Sequence, residues 1–364
     1  MAMKRYALIF GKNPDISWGE FNAFVSKHNV KVQIVERDRA KGWVVFKSEE
    51  NIEREFRWLG GALKLVRILG RNSGLEEAGY SKLFTVSIYG VNDWRLWRKL
   101  GSELKANFKR KGPSKFFKPA RVFSMPSELI LKGFPKVRDF DFIFNDNGDF
   151  WFGETVAITD PFELKKLDVG RPHQRPMISL PPRLARIMVN LSGIRRGKFL
   201  DPFCGIGTVV QEFMLQGLEA YGSDVNERRI KEARENLEWL KREFKLRSNY
   251  HLSVRDARDL KGSFNAIVTE PYLGKPLKRE LTLKEAEAAS RELDSFYKEV
   301  FNAISRVVTD KVVFTFPAFR LRNGRIYRRN REWLEDMGFK VEGRYLDYER
   351  RHRLIRDVYV MKLR

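Results

Sequence analysis

The chain has 364 residues, 43% of them hydrophobic, and its 70 lysines and arginines outnumber its 47 acids to give a formal net charge of +23. This length is greater than that of most single-core domains, so two or three domains are expected. The sequence has no apolar run of 18 residues and no signal-peptide cleavage site, so neither a membrane protein nor a secreted one is expected. One cysteine excludes an intrachain disulfide and, with only four histidines, argues against a thiolate-rich zinc site, so we expect no metal and a reducing, cytoplasmic location.

The first 70 residues follow a small α+β pattern. A helix is predicted from Asp15 onward, and a second one over 49–59, where apolar side chains recur on one face. Apolar runs predict strands at 4–10, 30–35, 42–46 and 63–69. The order strand, helix, strand, strand, helix, strand is ferredoxin-like. We therefore expect a ferredoxin-like domain over 1–70, followed by a polar linker.

Residues 80–160 have the elements of a second α+β domain. A strand is predicted at 83–88, a helix at 94–110 and several short strands over 122–157. Prolines then recur between residues 160 and 182. They predict an extended, semi-rigid linker over 161–181, ahead of a third domain over 182–364.

Positive charge is concentrated in two stretches, 105–121 and 320–331, neither of which contains an acid. Such stretches suit contacts to a polyanion through its phosphates, although a basic solvated surface is the alternative. The phenylalanines in the first stretch can stack on bases, but buried packing is the interpretation we favour. The predicted phosphate contacts are Lys109, Arg110, Lys111, Lys115, Lys118 and Arg121.

Residues 201–208, Asp-Pro-Phe-Cys-Gly-Ile-Gly-Thr, join a short apolar run to an apolar-periodic helix. A glycine-rich turn between strand and helix exposes backbone N–H groups to a nucleotide-like ligand. The leading acid would repel phosphate but suits a cationic ligand with an amino-acid tail, and S-adenosylmethionine (SAM) fits that description. The predicted cofactor contacts are Asp201, Phe203, Gly205, Gly207 and Thr208. Cys204 in the same turn is interpreted as a small packed residue, not as a nucleophile.

Later strands also end in acids. Asp224, followed by Val225, lies 23 residues after Asp201, close to the spacing at which a Rossmann-type acid meets ribose hydroxyls. Asp256 and Ala257 end a third strand, where an adenine amino group can be read. A fourth strand ends in Glu270, Pro271 and Tyr272. One turn plus one acid is often purely structural, but four such strand ends in this order are hard to obtain by accident.

These strand ends resemble the class I SAM-dependent methyltransferases, most of all the branch that methylates exocyclic amino groups of nucleic-acid bases. Residues 171–176, Arg-Pro-His-Gln-Arg-Pro, and 180–193 are similar to the start of the catalytic domain in archaeal and eukaryotic tRNA guanosine-10 N2-methyltransferases. Members of that family carry an N-terminal THUMP RNA-binding domain, and residues 127–129, 141–144 and 153–155 with Asp160 are similar to THUMP landmarks.

The resemblance implies a fold for each part of the chain. Residues 182–364 would form a Rossmann-fold class I methyltransferase, with a seven-stranded sheet and an antiparallel edge. Residues 80–160 would form the THUMP domain, behind the ferredoxin-like domain. The whole is an α/β protein.

The resemblance also implies catalytic roles. In that branch the fourth strand usually ends in Asp-Pro-Pro-Tyr: the acid and the next carbonyl accept hydrogen bonds from the amine, and the aromatic ring stacks on the base. The resemblance implies that Glu270 and the Pro271 carbonyl accept the hydrogen bonds from the amine and that the Tyr272 ring stacks on the base. The chain departs from the pattern twice, with glutamate for aspartate and with one proline. The identity of the modified nucleotide therefore stays open.

The implied function is SAM-dependent methyl transfer to the exocyclic N2 amine of guanosine in tRNA. Two alternatives stay open: a base-amino methyltransferase that acts on another RNA or on DNA, and a non-catalytic RNA-binding protein with a SAM-like fold. The implied partner is tRNA, and no membrane is involved. Some relatives need a small zinc-binding activator subunit, and otherwise a monomer is expected. Mono- versus dimethylation is also open.

Overall fold

The computed structural model describes residues 3–118, 122–124, 137–175, 180–349 and 352–364. The chain divides into two compact units, one of Met1–Trp18 with Asn29–Glu163 and the other of Gly19–His28 with Leu164–Arg364. Within the described residues no helix is long and apolar enough to cross a membrane.

In its described residues, the N-terminal half alternates short strands with two α-helices. Its elements are β1 (Lys4–Phe10), α1 (Pro14–His28), β2 (Val32–Asp38), β3 (Trp43–Ser48), β4 (Ala62–Arg71), β5 (Leu83–Tyr89), α2 (Trp94–Lys109), β6 (Lys115–Phe116), β7 (Arg138–Phe144) and β8 (Phe150–Ile158).

One sheet runs through the first unit in the order β2-β3-β1-β4-β8-β7-β5-β6. The order β2-β3-β1-β4 is the ferredoxin-like arrangement that the first 70 residues predict. Because β4 pairs antiparallel with β8, the same sheet continues into the segment expected to form the THUMP domain. The division of this half at residues 70–80 stays a prediction.

Helix α2 and strand β7 build the core of the THUMP-like segment. Asp93 caps α2 by accepting hydrogen bonds from two backbone N–H groups. On β7, alternate phenylalanines Phe140 and Phe142 are fully buried. Gly101 on α2 lies against the Phe116 ring, where a Cβ would come within 2.2 Å. Trp97, Leu100 and Leu104 on α2 belong to the same buried cluster as these phenylalanines.

A buried lysine faces two buried aspartates in this sheet. Lys64 Nζ donates to Asp139 and, over 3.0 Å, to the Ser87 hydroxyl. The same nitrogen lies 3.7 Å from Asp141 Oδ1. Burial raises the pKa of the Asp141 carboxyl and the Asp139 charge adds to the rise, while the Lys64 ammonium opposes it. The cluster holds three strands together as long as the lysine is present.

Two predictions for connecting segments are wrong. The helix expected over 49–59 is only a single 3₁₀ turn, Glu55–Trp58, although the apolar side chains Ile52, Phe56 and Leu59 of this segment are buried as that helix would require. The linker is not extended throughout, because Pro161–Val169 forms helix α3. Proline fits the first turn of a helix, and Asp160 caps α3 by accepting the N–H groups of the second and third residues at 2.8 and 3.1 Å.

The C-terminal half is a doubly wound α/β unit. After α3 its elements are α4 (Pro182–Leu191), β9 (Lys198–Asp201), α5 (Thr208–Leu215), β10 (Glu219–Asp224), α6 (Glu227–Glu243), β11 (Tyr250–Val254), β12 (Phe264–Thr269), α7 (Leu283–Val307), β13 (Val308–Arg320), β14 (Ile326–Tyr327), α8 (Trp333–Asp336), β15 (Phe339–Asp347) and β16 (Leu354–Leu363).

The strands of this half run in the order β11-β10-β9-β12-β13-β16-β15. The pairs from β11 to β13 are parallel, whereas β16 is antiparallel to β13 and to β15. This confirms the predicted seven-stranded order with an antiparallel edge; the short β14 pairs with β13 outside that path. The carboxyl ends of β9, β10 and β12 therefore meet at one edge, where ligands of such sheets bind.

Candidate active site at the carboxyl edge of the sheet

The ends of β9 and β12 are joined by a hydrogen bond between buried side chains. The Thr269 hydroxyl donates to Asp201 Oδ1 over 2.6 Å, and the Phe203 N–H donates to the same oxygen over 3.1 Å. Burial raises the pKa of Asp201 to about 7; these two hydrogen bonds oppose the rise, and the charges of Asp224 and Glu270 add to it. A cationic ligand at this place would strongly stabilise the ionised form of the Asp201 carboxyl.

Asp224, at the end of β10, holds the glycine turn. Its Oδ2 accepts the Gly205 N–H over 3.0 Å, and its Oδ1 accepts the Asn226 N–H over 2.9 Å. Gly205 and Gly207 have φ of 52° and 92°, values that favour glycine. A Cβ on Gly205 would find only the Phe203 carbonyl oxygen, 4.0 Å away, whereas Gly207 packs on α6. Gly205 thus leaves space beside the turn, and Gly207 serves the conformation of the turn.

Arg171 supports the same turn, although the sequence did not mark it as a site residue. It is 2% exposed, and its Nη1 donates to Thr208 Oγ1 over 2.7 Å. Two residues later, the His173 N–H donates to Asn236 Oδ1 over 2.8 Å, and Asn236 donates to the Ile206 carbonyl over 3.0 Å. The signal that could have indicated this role is the Arg-Pro-His-Gln-Arg motif. Thr208, predicted as a cofactor contact, is held by Arg171 in this structure.

The residues predicted to hold the adenosine lie in different environments. Val225, next to Asp224, is 71% exposed, whereas Ala257 is buried. The Asp256 carboxylate accepts a backbone N–H and two guanidinium hydrogen bonds from Arg258 over 2.8 to 3.0 Å. The Arg258 side chain lowers the pKa of Asp256. Asp256 would have to share its oxygens with Arg258 to bind adenine. Asp224 would likewise share its oxygens, because both accept backbone N–H groups and Oδ2 lies 3.7 Å from Arg229 Nη1.

Cys204 lies inside the turn and is 5% exposed. Its N–H donates to the Ser223 carbonyl over 2.9 Å. Burial raises the pKa of the Cys204 thiol, and the nearby charges of Asp201 and Asp224 raise it further. Since the thiolate is the nucleophilic form, this environment fits the packed residue that the sequence suggests.

Glu270 follows the last residue of β12 and forms an ion pair with Arg356 on β16. The Arg356 guanidinium donates through Nε to Oε2 over 2.5 Å and through Nη2 to Oε1 over 3.2 Å. Burial by itself would lower the pKa of Arg356, but the Glu270 carboxylate outweighs it and raises that pKa. Nothing in the sequence pointed to Arg356, which is 86 residues further along the chain. The antiparallel edge of the sheet brings it to the site.

The two residues after Glu270 differ in exposure. Pro271 is buried, and Tyr272 is 54% exposed. The backbone here is held by the fully buried Tyr297 on α7, whose hydroxyl donates to the Tyr272 carbonyl over 2.8 Å. An anchored backbone with an exposed aromatic ring is the arrangement that a base-stacking platform requires.

The predicted RNA-contacting residues of the first unit lie on its surface. All those that the structure describes are exposed, and none forms an ion pair with another described residue; they are Lys109, Arg110, Lys111, Lys115 and Lys118. Arg121 lies outside the described residues. Phe108 is fully buried and Phe116 stacks on Phe84 with 5.2 Å between ring centroids, so packing explains these rings.

The second basic stretch, 320–331, is neutralised in part within the protein, and its interpretation as a phosphate-binding stretch is wrong for three of its six arginines. Arg329 and Arg331 bind Asp294 over 2.5 and 2.9 Å. Arg328 donates to Asp357 over 2.6 Å. Both aspartates are buried, and a buried carboxylate needs such partners. The buried aspartates that these arginines neutralise therefore explain their presence in the sequence.

The comparisons with known proteins agree with this site. Residues 171–332 match the family model described as UPF0020: RMKL-like, methyltransferase domain. The tRNA (guanine(10)-N2)-dimethyltransferase of Pyrococcus abyssi is 34% identical over 210 residues, which is 56% of this chain and 55% of that protein. The protein of the same name from Methanothermobacter thermautotrophicus is 35% identical over 140 residues, 37% of this chain and 38% of that protein. The chain thus matches about half, or less, of the length of these curated relatives.

The crystal structure of TrmN from Thermus thermophilus shares the fold over 100% of both chains, with a TM-score of 0.57 and 18% sequence identity. This full-length likeness confirms the predicted architecture, an N-terminal α+β half followed by a Rossmann-fold methyltransferase half. The matched segment contains the glycine turn, Asp224 and the Glu270–Tyr272 strand end. Residues 171–332 are therefore similar to the methyltransferase domain that the UPF0020, RMKL-like family model describes.

Proposed function

We propose that this chain is a SAM-dependent RNA methyltransferase that transfers a methyl group to the exocyclic N2 amine of guanosine in tRNA. The observation that carries the proposal is the pairing, at one sheet edge, of a cofactor-type glycine turn with Glu270 and the exposed Tyr272 ring. The relatives named tRNA (guanine(10)-N2)-dimethyltransferases support guanosine 10 as the target.

The residues present fit SAM. The position beside Gly205 is open, Val225 is exposed next to Asp224, and Asp201 is a buried carboxyl with a raised pKa. Asp224 would accept the ribose hydroxyls, Val225 would cover the adenine, and Asp201 would favour the positive charge. When bound, SAM supplies an electrophilic methyl group on its sulfonium sulfur.

Glu270 and Tyr272 would act on the base. Tyr272 would stack on the guanine, and the Pro271 carbonyl and Glu270 would accept hydrogen bonds from the amine, which returns electron density to its nitrogen. A carboxylate has about four acceptor positions, and the Arg356 guanidinium occupies one on each oxygen of Glu270. Both oxygens therefore keep an acceptor position for the amine. On accepting the methyl group, the amine would release one proton toward this carboxylate or water.

The N-terminal half would deliver the RNA. The exposed cations between Lys109 and Lys118 lack ion-pair partners among the described residues, so they are available to phosphates. We also infer a cytoplasmic enzyme that acts as a monomer, unless it requires a small zinc-binding activator subunit. Size-exclusion chromatography with light scattering tests the monomer.

The test is methyl transfer from labelled SAM to transcribed tRNA, with a ribosomal RNA fragment and duplex DNA as competing acceptors. A matched tRNA that carries inosine in place of guanosine 10 lacks only the N2 amine. We expect label in the normal tRNA and none at the inosine position. Equal labelling of the inosine tRNA would exclude the N2 amine of that nucleotide, and preference for DNA would favour the alternative base-amino activity.

A further inference from the structure

One face of the methyltransferase sheet has an open groove. Residues 255–263, between β11 and β12, contain no helix, although such a connection in a doubly wound sheet usually packs a helix on the strands. The strands β9, β10, β11 and β12 line a groove of about 290 Å³ at this place. The proposed active site does not use this groove.

An aromatic pair forms part of the groove surface. The Tyr221 and His251 rings stack with 4.7 Å between their centroids and 18° between their planes. His251 is exposed and Tyr221 is half-buried. The edge of Tyr221 rests on Phe264, 5.3 Å away between centroids, so the pair is supported from the core. A supported ring with a free face can stack on a further flat group.

The charged side chains that line the groove are all basic. Lys198, Arg255 and Lys261 contribute to the lining, and no acid does so. None of the three forms an ion pair with a described residue, and the Arg255 guanidinium donates to the Asp259 carbonyl over 3.1 Å. Glu219 lies outside the lining, although it pairs in register with Lys198 at the amino end of the sheet. The groove therefore favours an anion that also carries a flat ring.

We propose that this groove binds a single-stranded segment of the RNA substrate, with one base stacked on His251 and Tyr221 and the flanking phosphates near Lys198 and Lys261. The inference rests on the proposed RNA substrate. Aromatic stacking beside cations is typical of single-strand binding, whereas an acidic peptide would leave the aromatic pair unused. Phe264 begins β12 and Glu270 follows its end, so the groove lies on the order of 20 Å from the catalytic carboxylate. It would contact nucleotides several positions from the methylated one.

The test uses the full chain and two probes: transcribed tRNA and a fluorescein-labelled RNA decamer without secondary structure. The main variant is Lys198→Gln with Lys261→Gln, since both side chains are exposed. The matched control is Lys340→Gln with Lys362→Gln, two exposed lysines on β15 and β16. His251→Ala removes the stacking ring, and His251→Phe keeps one.

We expect the Lys198/Lys261 variant to bind the decamer about 3- to 10-fold more weakly and to lower the slope of log Kd against log salt by about 1.4, near 0.7 per lost phosphate contact. His251→Ala should weaken binding at least about 5-fold, and His251→Phe should restore most of it. SAM affinity and the single-turnover rate at saturating tRNA should not change, because these residues lie away from the cofactor turn.

Wild-type affinity and salt slope in both groove variants would overturn the proposal, as would absence of decamer binding by the wild-type chain. If oligoglutamate competes with the decamer, and His251→Ala does not change that competition, the groove binds an acidic protein segment. That result would also overturn the proposal. The proposed function fails separately: if the chain does not methylate tRNA but the groove variants lose decamer affinity, the groove assignment stands. If tRNA is methylated and the groove variants bind like wild type, only the groove assignment is wrong.

Discussion

Replacing Glu270 by glutamine tests the central step of the proposed mechanism. The change keeps the shape of the side chain and removes its charge. In the structure, both oxygens of Glu270 accept bonds from Arg356, over 2.5 and 3.2 Å. Glutamine has one acceptor oxygen in place of two, and its amide nitrogen would face either the guanidinium or the amine of the base. Either orientation places one donor against another.

Two magnitudes follow from this geometry. Loss of one preorganised acceptor at the reacting amine lowers the rate by about 10² to 10³. Loss of the charge-assisted bonds to Arg356 lowers the free energy of unfolding by about 1–2 kcal/mol, since the pair is only partly buried, with exposed side-chain fractions of 12% and 20%. Glu270→Asp keeps the charge, but it is shorter by about one C–C bond of 1.5 Å. It cannot hold both Arg356 and the base as the glutamate does, and we expect about a tenfold loss.

The assay is single-turnover methylation of saturating tRNA, together with SAM affinity by calorimetry and unfolding by urea. SAM affinity should barely change in either variant. Glu292→Gln, on an exposed part of α7, makes the same change of charge and should behave like wild type in all three measurements. Full activity of Glu270→Gln under single turnover would refute the claim that this carboxylate acts on the amine.

Three further outcomes are expected. The stability of Asp201→Asn relative to wild type should be about 2–3 kcal/mol greater at pH 8 than at pH 5. The folded carboxyl keeps its proton up to its pKa of about 7, whereas the unfolded one ionises near 3.8, so wild-type stability falls as pH rises between these values. An equal stability difference at both pH values in urea unfolding would contradict the raised pKa. Asp224→Ala should weaken SAM binding by roughly 1–3 kcal/mol, and Asp256→Ala should do so less, since its carboxylate is engaged by Arg258; the reverse order in calorimetry would exchange their roles. Lys64→Met should lower the free energy of unfolding by about 3–5 kcal/mol by leaving Asp139 and Asp141 without a cation, and adding Asp139→Asn should recover part of the loss; an unchanged urea midpoint would contradict the buried cluster.

The amino-acid sequence by itself determined the parts of this protein that depend on short-range spacing. The period of apolar residues predicts α2 and α5, because each of these helices buries one face wherever it is placed. The glycine turn and the acids after β9, β10 and β12 were also predictable, because their chemistry lies within a few residues of each strand end. The family resemblance then indicated a seven-stranded sheet with an antiparallel edge.

Tertiary structure alone decided which charges face one another. Arg356 reaches Glu270 only because β16 runs antiparallel beside β13, and Arg171 reaches Thr208 only because the segment before α4 folds back on the glycine turn. Arg328, Arg329 and Arg331 fit a phosphate-binding stretch in the sequence, but the fold places them against Asp294 and Asp357. The positions of charged residues along a chain do not show which residues they pair with, because ion pairs form between elements that are distant in sequence. A buried charge must have such a partner, whereas an exposed charge need not.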